Sequence, residues 1–445
     1  MQTFPCASGR QKCRGLVARA SQQSDVGRRE IEVFGDWVEL GEPTQIGTLF
    51  ATVVRAQETY EFHYEAEWLA RGLAQELDPE LQFYGGAQYP GQDKPNFGIF
   101  LDSSPDRWGR LLMGRREALK AREEQRPARR LRESDYLLGV FDEHRMGGLR
   151  FRLTGSEEFL DSQRDLASPQ WTRLRELEEA SLQLERGDAA DQSDYKRWLN
   201  MLMAPGGSLG GARPKAGVVD PENHPWIAKF PSRADERDIG SWEFLLHQLA
   251  EGAGIWVSPY QRQCFNSEHH TFLSKRFDRT AEGGRVHFAS ALTLLGHKDG
   301  YDASDGASYL ELAEVLVRHG AQTDRDLEQL WRRIVFNVCV SNVDDHMRNH
   351  GFLLTPAGWA LSPAYDMNPD PMGDGLKLNI SEAENAQDLD LVREVAPYFR
   401  LKAERARAVM AEVVGVVGEW RRLAAGLGLS KEEIEDVAPA FRFPK

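Results

Sequence analysis

Residues 341–366 constrain the fold of this chain more than any other part of its sequence. Residues 351–354 and 359–362 form two short apolar runs, and the Thr-Pro-Ala-Gly sequence between them is typical of a turn. The two runs predict an antiparallel hairpin, which returns its far end beside its near end. Asn349 precedes the first predicted strand and Asp366 follows the second. We therefore expect both side chains at the same open end of the hairpin.

A second carboxylate, Asp344, lies five positions before Asn349. Hard oxygen ligands with another carboxylate close by suit Mg²⁺ bound to a nucleotide. We predict that Asn349 and Asp366 bind the metal and that Asp344 is the catalytic residue, which orients the proton of an attacking hydroxyl. The five-residue offset is that of the catalytic-loop Asp and Asn in protein kinases. Asp345 competes for the catalytic role, and the plain alternative to the whole site is a solvated acidic turn.

The remaining parts of a phosphoryl-transfer site also have candidates. Ser208, Gly210 and Gly211 lie in a Gly-rich loop whose backbone N–H groups could approach phosphate, although a plain turn fits the same residues. Lys229 is central in the apolar segment WIAKF, where a charge is costly unless it is paired. We expect Glu243 on the following helix to be that pair. An edge-strand lysine that points to water is the alternative, and Lys215 is a rival for the phosphate.

Two further predictions concern the adenine and the catalytic loop. Lys275 and Phe277 lie in the segment FLSKRFD, whose backbone groups are expected to contact adenine. His346 is expected to brace the loop by hydrogen bonding. A phosphate on Ser208 would add about two negative charges and would compete with nucleotide for the loop N–H groups.

The composition indicates a globular protein with a large core. The 445 residues predict two or three domains, and the 41% hydrophobic and 28% charged residues are ordinary values. The net charge of -14 argues against a general nucleic-acid-binding protein, because phosphate backbones repel an acidic surface. The cysteines form neither a metal-ligand pattern nor a disulfide framework, so we expect a cytoplasmic protein. No apolar run approaches the roughly 18 residues that span a bilayer.

Changes of pattern along the chain predict four segments. Residues 1–30 are rich in Arg and Ser and are expected to form a disordered tail. Residues 31–155 alternate apolar and polar side chains and predict a β-rich subdomain, with strand, turn and strand over 136–153. Residues 156–280 predict a helical connector and a second sheet, and residues 281–445 a helical region. The basic segment 114–133 is either a solvated helix or a docking face for a partner or for DNA.

Five segments, SLGGARPK, WIAKF, KRFDR, NVDDHMRN and SPAYDM, follow one another in this order along the chain. In these segments and their order the chain resembles the HipA toxin serine/threonine kinases. Two earlier segments, GTL…YEAEWL and LLGVFDEHRMGGLRF, resemble the family's N-terminal subdomain. The chain departs from the best-known member at Arg348, where that protein has Lys, and at Lys275, where it has an acidic residue.

The resemblance implies an α+β, two-lobed protein-kinase-like fold with an extra β-rich N-terminal subdomain and an all-helical C-terminal lobe. It also implies ATP and Mg²⁺ as cofactors and autophosphorylation at Ser208, which inactivates the enzyme. A protein substrate such as an aminoacyl-tRNA synthetase is expected. The resemblance also implies a small helix-turn-helix antitoxin as partner, and contact of the chain with DNA only through that antitoxin. A small-molecule phosphotransferase and an inactive partner module of a DNA-binding antitoxin are the alternatives.

Overall fold

The computed structural model describes residues 27–72, 75–163, 169–203, 211 and 213–442. The chain has an α+β fold. The strands of the described residues are β1 (Arg28–Gly35), β2 (Thr44–Val54), β3 (Gln57–Tyr64), β4 (Leu149–Leu153), β5 (Lys215–Val219), β6 (Pro225–Lys229), β7 (Tyr260–Cys264), β8 (His270–Lys275), β9 (Phe288–Ser290), β10 (Gly351–Thr355) and β11 (Gly358–Leu361).

The helices divide between the amino-terminal and carboxy-terminal halves of the chain. The first seven are α1 (Ala66–Ala70), α2 (Gly98–Asp102), α3 (Arg107–Glu123), α4 (Glu133–Leu138), α5 (Leu174–Leu184), α6 (Tyr195–Met203) and α7 (Ile239–Gly252). The others are α8 (Ala291–Leu294), α9 (Tyr309–His319), α10 (Thr323–Val340), α11 (Leu389–Val395), α12 (Ala403–Val417), α13 (Trp420–Gly426) and α14 (Lys431–Val437). None of these helices combines the length and the apolar character needed to cross a membrane.

The N-terminal subdomain, which comprises β1–β4 and α1–α4, is built on an antiparallel sheet in the order β3-β2-β1-β4. Its strands alternate as predicted, and the inward residues Ile31, Leu49, Phe62 and Phe151 are fully buried. The prediction of a strand at residues 136–138 was wrong. These residues belong to α4, whose start is stabilised where the Asp135 side chain accepts the N–H of the N-cap residue at 2.9 Å.

The predicted tail extends too far along the chain. β1 begins at Arg28, because residues 28–30 pair with residues 50–52 of β2. The remainder of the predicted tail, residues 1–26, lies outside the described residues.

The middle region, which comprises α5, α6, β5–β8 and α7, has an antiparallel sheet in the order β5-β6-β8-β7. Successive side chains of a strand point to opposite faces. Ala216, Val218, Ala228 and Leu273 face α3, α5 and α6 in one buried cluster. The opposite face presents Lys215, Lys229 and Phe272, which are direct cross-strand neighbours. The middle sheet therefore places two lysines side by side.

The C-terminal lobe, which comprises α8–α14 and β9–β11, is mostly helical but also contains a three-stranded sheet in the order β11-β10-β9. The predicted hairpin is present, since Phe352 pairs with Leu361 and the N–H of Ser362 donates to Gly351 O at 2.9 Å. The helix α10 leads into this region. Every residue from Gln329 to Val340 is buried, so the second half of α10 is enclosed on all sides, and the helix ends at Ser341 in the left-handed conformation (φ 47°).

Candidate active site

Lys229 lies between two carboxylates at the meeting point of the middle region and the C-terminal lobe. Its Nζ is 2.6 Å from Glu243 Oε1 and 2.6 Å from Asp366 Oδ1. The expected pairing of Lys229 with Glu243 is therefore present. Burial on its own would lower the pKa of Lys229, but the charges of Asp366 and Glu243 outweigh it and raise that pKa above its usual range. The side chain remains an ammonium at any physiological pH.

Asp366 is held in an unusual backbone conformation. Its φ is 58°, in the left-handed region that costs a non-glycine residue about 1 kcal/mol and that recurs at functional sites. Burial favours the neutral acid, but the positive charges of Lys229 and Lys215 outweigh it and lower the pKa of Asp366 to about 2. The side chain is 31% exposed. An ionised, accessible carboxylate at this point is a competent ligand for a divalent cation.

The loop that carries Asp344 and Asn349 lies beside Asp366. The Asn349 Nδ2 donates to Asp344 O at 3.1 Å. The Tyr365 hydroxyl donates to Arg348 O at 2.6 Å and so joins the residues that precede Asp366 and Asn349. The hairpin therefore brings its two ends together as the sequence predicted. Asp344 is exposed and Asn349 is buried.

Asp345 has a different environment from its neighbour. Its Oδ2 accepts from the Tyr309 hydroxyl and from Asn337 Nδ2, each at 2.7 Å, and lies 2.7 Å from His350 Nε2. Burial would raise the pKa of this carboxyl, but His350 and the hydrogen bonds outweigh it and lower that pKa. Asp345 is committed to the interior of the lobe, which leaves Asp344 as the carboxylate that faces solvent.

His346 braces the loop through its backbone. Its N–H donates to Asp344 O at 2.9 Å, and its carbonyl accepts from the N–H of Asn349 at 2.8 Å. The His346 ring makes no hydrogen bond through Nδ1 to brace the loop, because this buried atom has no hydrogen-bond partner among the described residues. The ring is close enough to Asp366 to be one of the smaller influences that lower the pKa of that carboxyl.

The segment expected to contact adenine lies where β8 ends. The N–H of Lys275 already donates to Pro259 O at 2.8 Å, and the N–H of Arg276 donates to Pro225 O at 3.0 Å. These two backbone N–H groups are already hydrogen-bonded within the protein. Phe277 follows them, and its ring centroid is 5.5 Å from that of Tyr365. Phe277 thus links the candidate adenine segment to the residue next to Asp366.

Ser208 and Gly210 lie outside the described residues. The predictions of a phosphate cradle and of a phosphorylated serine therefore stay predictions. Gly211 is described and exposed, with φ at 95°, and its carbonyl lies 3.5 Å from Lys215 Nζ. The carboxy-terminal end of the predicted cradle is thus next to the second lysine of the site.

Asp106 is the residue of this site that sequence reasoning missed. Its Oδ2 is 2.9 Å from Lys215 Nζ, and both side chains are 3% exposed. Burial raises the pKa of Asp106, Lys215 opposes that rise, and the charge of Asp366 adds to it. Its local sequence, Ser104-Pro105-Asp106, is typical of the start of a helix and carries no other signal. Its partner on β5 is more than a hundred positions away, which no local pattern can show.

The basic segment 114–133 is engaged within the molecule. Arg126 NH1 lies 2.6 Å from Glu117 Oε1, Arg129 also approaches Glu117 at 3.5 Å, and Arg115 NH1 donates to Leu184 O at 2.8 Å. These contacts favour the interpretation of a solvated helix that packs on its neighbours over that of a docking face.

Comparisons with known proteins agree with this architecture. Residues 207–420 match the family model of the HipA-like C-terminal domain. Two Sinorhizobium fredii proteins, "Putative kinase Y4mE" and "Putative kinase Y4dM", are 26% identical over 149 residues and 32% identical over 162 residues. Each match covers 32% of this chain, and the chain spans only 34% and 36% of the length of these two relatives.

The HipA protein of Shewanella oneidensis MR-1, solved with HipB and its operator DNA, superimposes with a TM-score of 0.61 at 17% identity. The superposition covers 92% of this chain and 94% of that chain. At this identity the likeness shows the fold, which is the two-lobed kinase-like fold with an added N-terminal subdomain. Residues 207–420 of this chain thus resemble a HipA-like C-terminal domain, and the chain as a whole has the fold of the Shewanella oneidensis HipA protein.

Proposed function

We propose that this chain is an ATP-dependent serine/threonine protein kinase, which transfers the γ-phosphate of Mg-ATP to a hydroxyl of another protein. The observation that carries the proposal is the position of Lys229, which is ion-paired with both Glu243 and Asp366. The loop of Asp344 and Asn349 lies at the same end of the hairpin as Asp366. A lysine–glutamate pair next to a metal-binding Asp is the arrangement that protein kinases use.

The residues fit a bound Mg-ATP. Asp366 is ionised and partly exposed, and Asn349 offers an amide oxygen, so these two would hold the metal. Mg²⁺, when bound, neutralises charge on the phosphate oxygens. Lys229, kept in place by Glu243, provides a fixed ammonium for the same phosphates. Asp344, exposed beside them, would accept the proton of the substrate hydroxyl.

We extend the proposal to partners and regulation on the strength of the family resemblance. The solved HipA protein forms a complex with HipB and operator DNA. By analogy we propose a small helix-turn-helix antitoxin as partner of this chain and DNA contact only through it, which also suits the net charge of -14. An aminoacyl-tRNA synthetase is the proposed class of substrate, and Ser208 the proposed site of autophosphorylation.

The proposal is tested by incubating the purified chain with Mg-ATP and measuring phosphate incorporation by mass spectrometry. Wild type should gain one phosphate on Ser208, and Ser208→Ala should gain none. Asp344→Asn should lower transfer by about a hundredfold or more, because the hydroxyl loses its base. Its affinity for Mg-ATP should persist, whereas Asp366→Ala should weaken that affinity because a metal ligand is lost. Equal activity of wild type and Asp344→Asn would overturn the mechanism.

A further inference from the structure

We propose that Asp106, a residue of the N-terminal subdomain, is a positioning residue of the nucleotide site: it holds the ammonium of Lys215 beside Lys229, so that two lysines face the ATP phosphates. This inference rests on the proposed function. If Asp106 has this role, the N-terminal subdomain contributes to the nucleotide site. None of the site residues predicted from the sequence lies in this subdomain.

The sheet fixes where Lys215 lies. Lys215 and Lys229 are direct partners across β5 and β6, so their side chains leave the same face of the sheet. Lys229 contacts Asp366 at 2.6 Å, and the charge of Lys215 also lowers the pKa of Asp366. Lys215 is therefore within electrostatic reach of the carboxylate that would bind the metal.

Asp106 is held rigidly in the position from which it contacts Lys215. Its Oδ1 accepts the N–H of Gly109 at 2.8 Å and caps α3, which leaves Oδ2 for the ammonium of Lys215. The first turn of α3 adds a second contact, since Trp108 Nε1 donates to Lys215 O at 3.1 Å. Both the side chain and the backbone of Lys215 are thus bound by the start of α3, that is, by its N-cap residue and its first turn.

The same segment is attached to the C-terminal lobe. Asp102 accepts the N–H and the hydroxyl of Ser290 at 2.7 and 2.8 Å. It also lies 3.4 Å from Arg348 NH1, in the loop between Asp344 and Asn349. Residues 102–106 therefore contact the middle sheet through Asp106 and the catalytic loop through Asp102. A change in the separation of the two lobes would have to alter one of these contacts.

The charges explain what Asp106 contributes. Without the carboxylate of Asp106, the buried ammonium of Lys215 would be attracted to Asp366, on which its charge already acts. Asp366 would then be neutralised by two lysines and would be a weaker metal ligand. With Asp106 present, Lys215 is kept at 2.9 Å from its own partner, and its charge remains available to the phosphates.

The test is the binding of Mg–AMP-PNP and of adenosine to the whole chain, measured by isothermal titration calorimetry. Asp106→Asn retains the cap oxygen but replaces the charged oxygen that faces Lys215 by a neutral amide nitrogen. It should weaken Mg–AMP-PNP binding about tenfold, a typical coupling between neighbouring groups, and leave adenosine binding unchanged. Lys215→Met should have the same effect. The double variant should bind no more weakly than Lys215→Met, because Asp106 acts through Lys215.

Glu117→Gln is the matched control. Glu117 is a buried, ion-paired carboxylate on the same helix, eleven positions further on and thus about 16 Å away. The Glu117→Gln variant should bind Mg–AMP-PNP and adenosine with the same affinities as wild type. Asp106→Glu, which restores the charge, should recover most of the affinity that Asp106→Asn loses. If Asp106→Asn does not fold, the double variant replaces it, because that variant leaves no unpaired buried charge.

The outcomes separate the inference from the function on which it rests. A wild-type chain that binds no Mg–AMP-PNP would remove the proposed function itself. A wild-type chain that binds it, with Asp106→Asn binding equally well, would overturn only the role of Asp106. A double variant that is weaker than Lys215→Met would also overturn it, since the two residues would then act independently.

Discussion

Two adjacent carboxylates, Asp344 and Asp345, differ in what surrounds them. Asp344 is exposed, whereas Asp345 is buried and bonded to Tyr309, Asn337 and His350. A buried carboxylate with several partners stabilises the loop, and its oxygens are not available to a substrate. Asp345 therefore holds the loop in a conformation in which Asp344 faces solvent.

This division of roles predicts a large loss of stability at one of the two neighbouring positions and almost none at the other. Asp345→Ala removes the acceptor that three buried polar groups share and should lower the free energy of unfolding by roughly 3 kcal/mol. Asp344→Ala removes an exposed side chain and should change it by less than about 0.5 kcal/mol. Urea denaturation followed by circular dichroism measures both. Similar losses in the two variants would contradict the assignment of Asp345 as the structural residue.

At the scale of elements, the β10–β11 hairpin decides where Asp366 lies. The strands are joined by a tight turn that ends at Gly358, whose φ is 134°. A Cβ at this position would lie 2.4 Å from the carbonyl oxygen of His319 at the end of α9. Gly358 thus permits both the turn and the close approach of a helix to the hairpin.

We expect Gly358→Ala to destabilise the protein by about 2 kcal/mol, through backbone strain and the forced separation of the hairpin from α9. Gly415→Ala is the control of opposite sign. Gly415 lies within α12 with open space around it, so alanine there should stabilise by up to about 1 kcal/mol. Thermal unfolding of both variants checks the pair. A stable Gly358→Ala would mean that the turn tolerates a side chain.

At the scale of the whole molecule, a buried ionic cluster joins the N-terminal subdomain to the segment that follows β8. Asp278 is fully buried, and its Oδ2 lies 2.6 Å from Arg276 NH2 and 2.7 Å from Arg279 NH1. The same oxygen accepts the N–H of Gly147 at 2.8 Å. Burial would raise the pKa of Asp278, but the two arginines outweigh it and hold that pKa far below its usual range.

The depressed pKa gives a pH dependence of known sign. Asp278 contributes stability that is fully present above the unfolded pKa of about 4. That contribution falls as the pH drops below about 4, because Asp278 is then protonated in the unfolded chain but stays ionised in the folded chain. Asp278→Asn should therefore cost roughly 3 kcal/mol at pH 7 and clearly less at pH 3.

Urea denaturation of wild type and Asp278→Asn at pH 7, 5, 4 and 3 measures the difference. Asp374→Asn, which changes an exposed carboxylate, should track wild type at every pH. A stability difference between wild type and Asp278→Asn that stays constant down to pH 3 would show that this carboxylate is not held ionised in the fold.

The sequence by itself determined those elements that have a clear pattern, and the residues that each of them carries. Alternation predicted the N-terminal sheet, and the two apolar runs after Asn349 predicted the hairpin that returns Asp366 beside it. A charge in the middle of an apolar strand predicted that Lys229 has a partner, and Glu243 is that partner. These inferences succeed because period, turn chemistry and the cost of a buried charge are local properties.

Only the tertiary structure decided which distant side chains meet. The three-stranded sheet within the mostly helical lobe depends on β9, a strand of three residues with no pattern of its own. The contact between Asp106 and Lys215 depends on how α3 packs against β5, which follows from the fit of whole surfaces. Short segments and long-range ion pairs escape prediction for the same physical reason: their stability comes from packing contributed by residues far away in the chain.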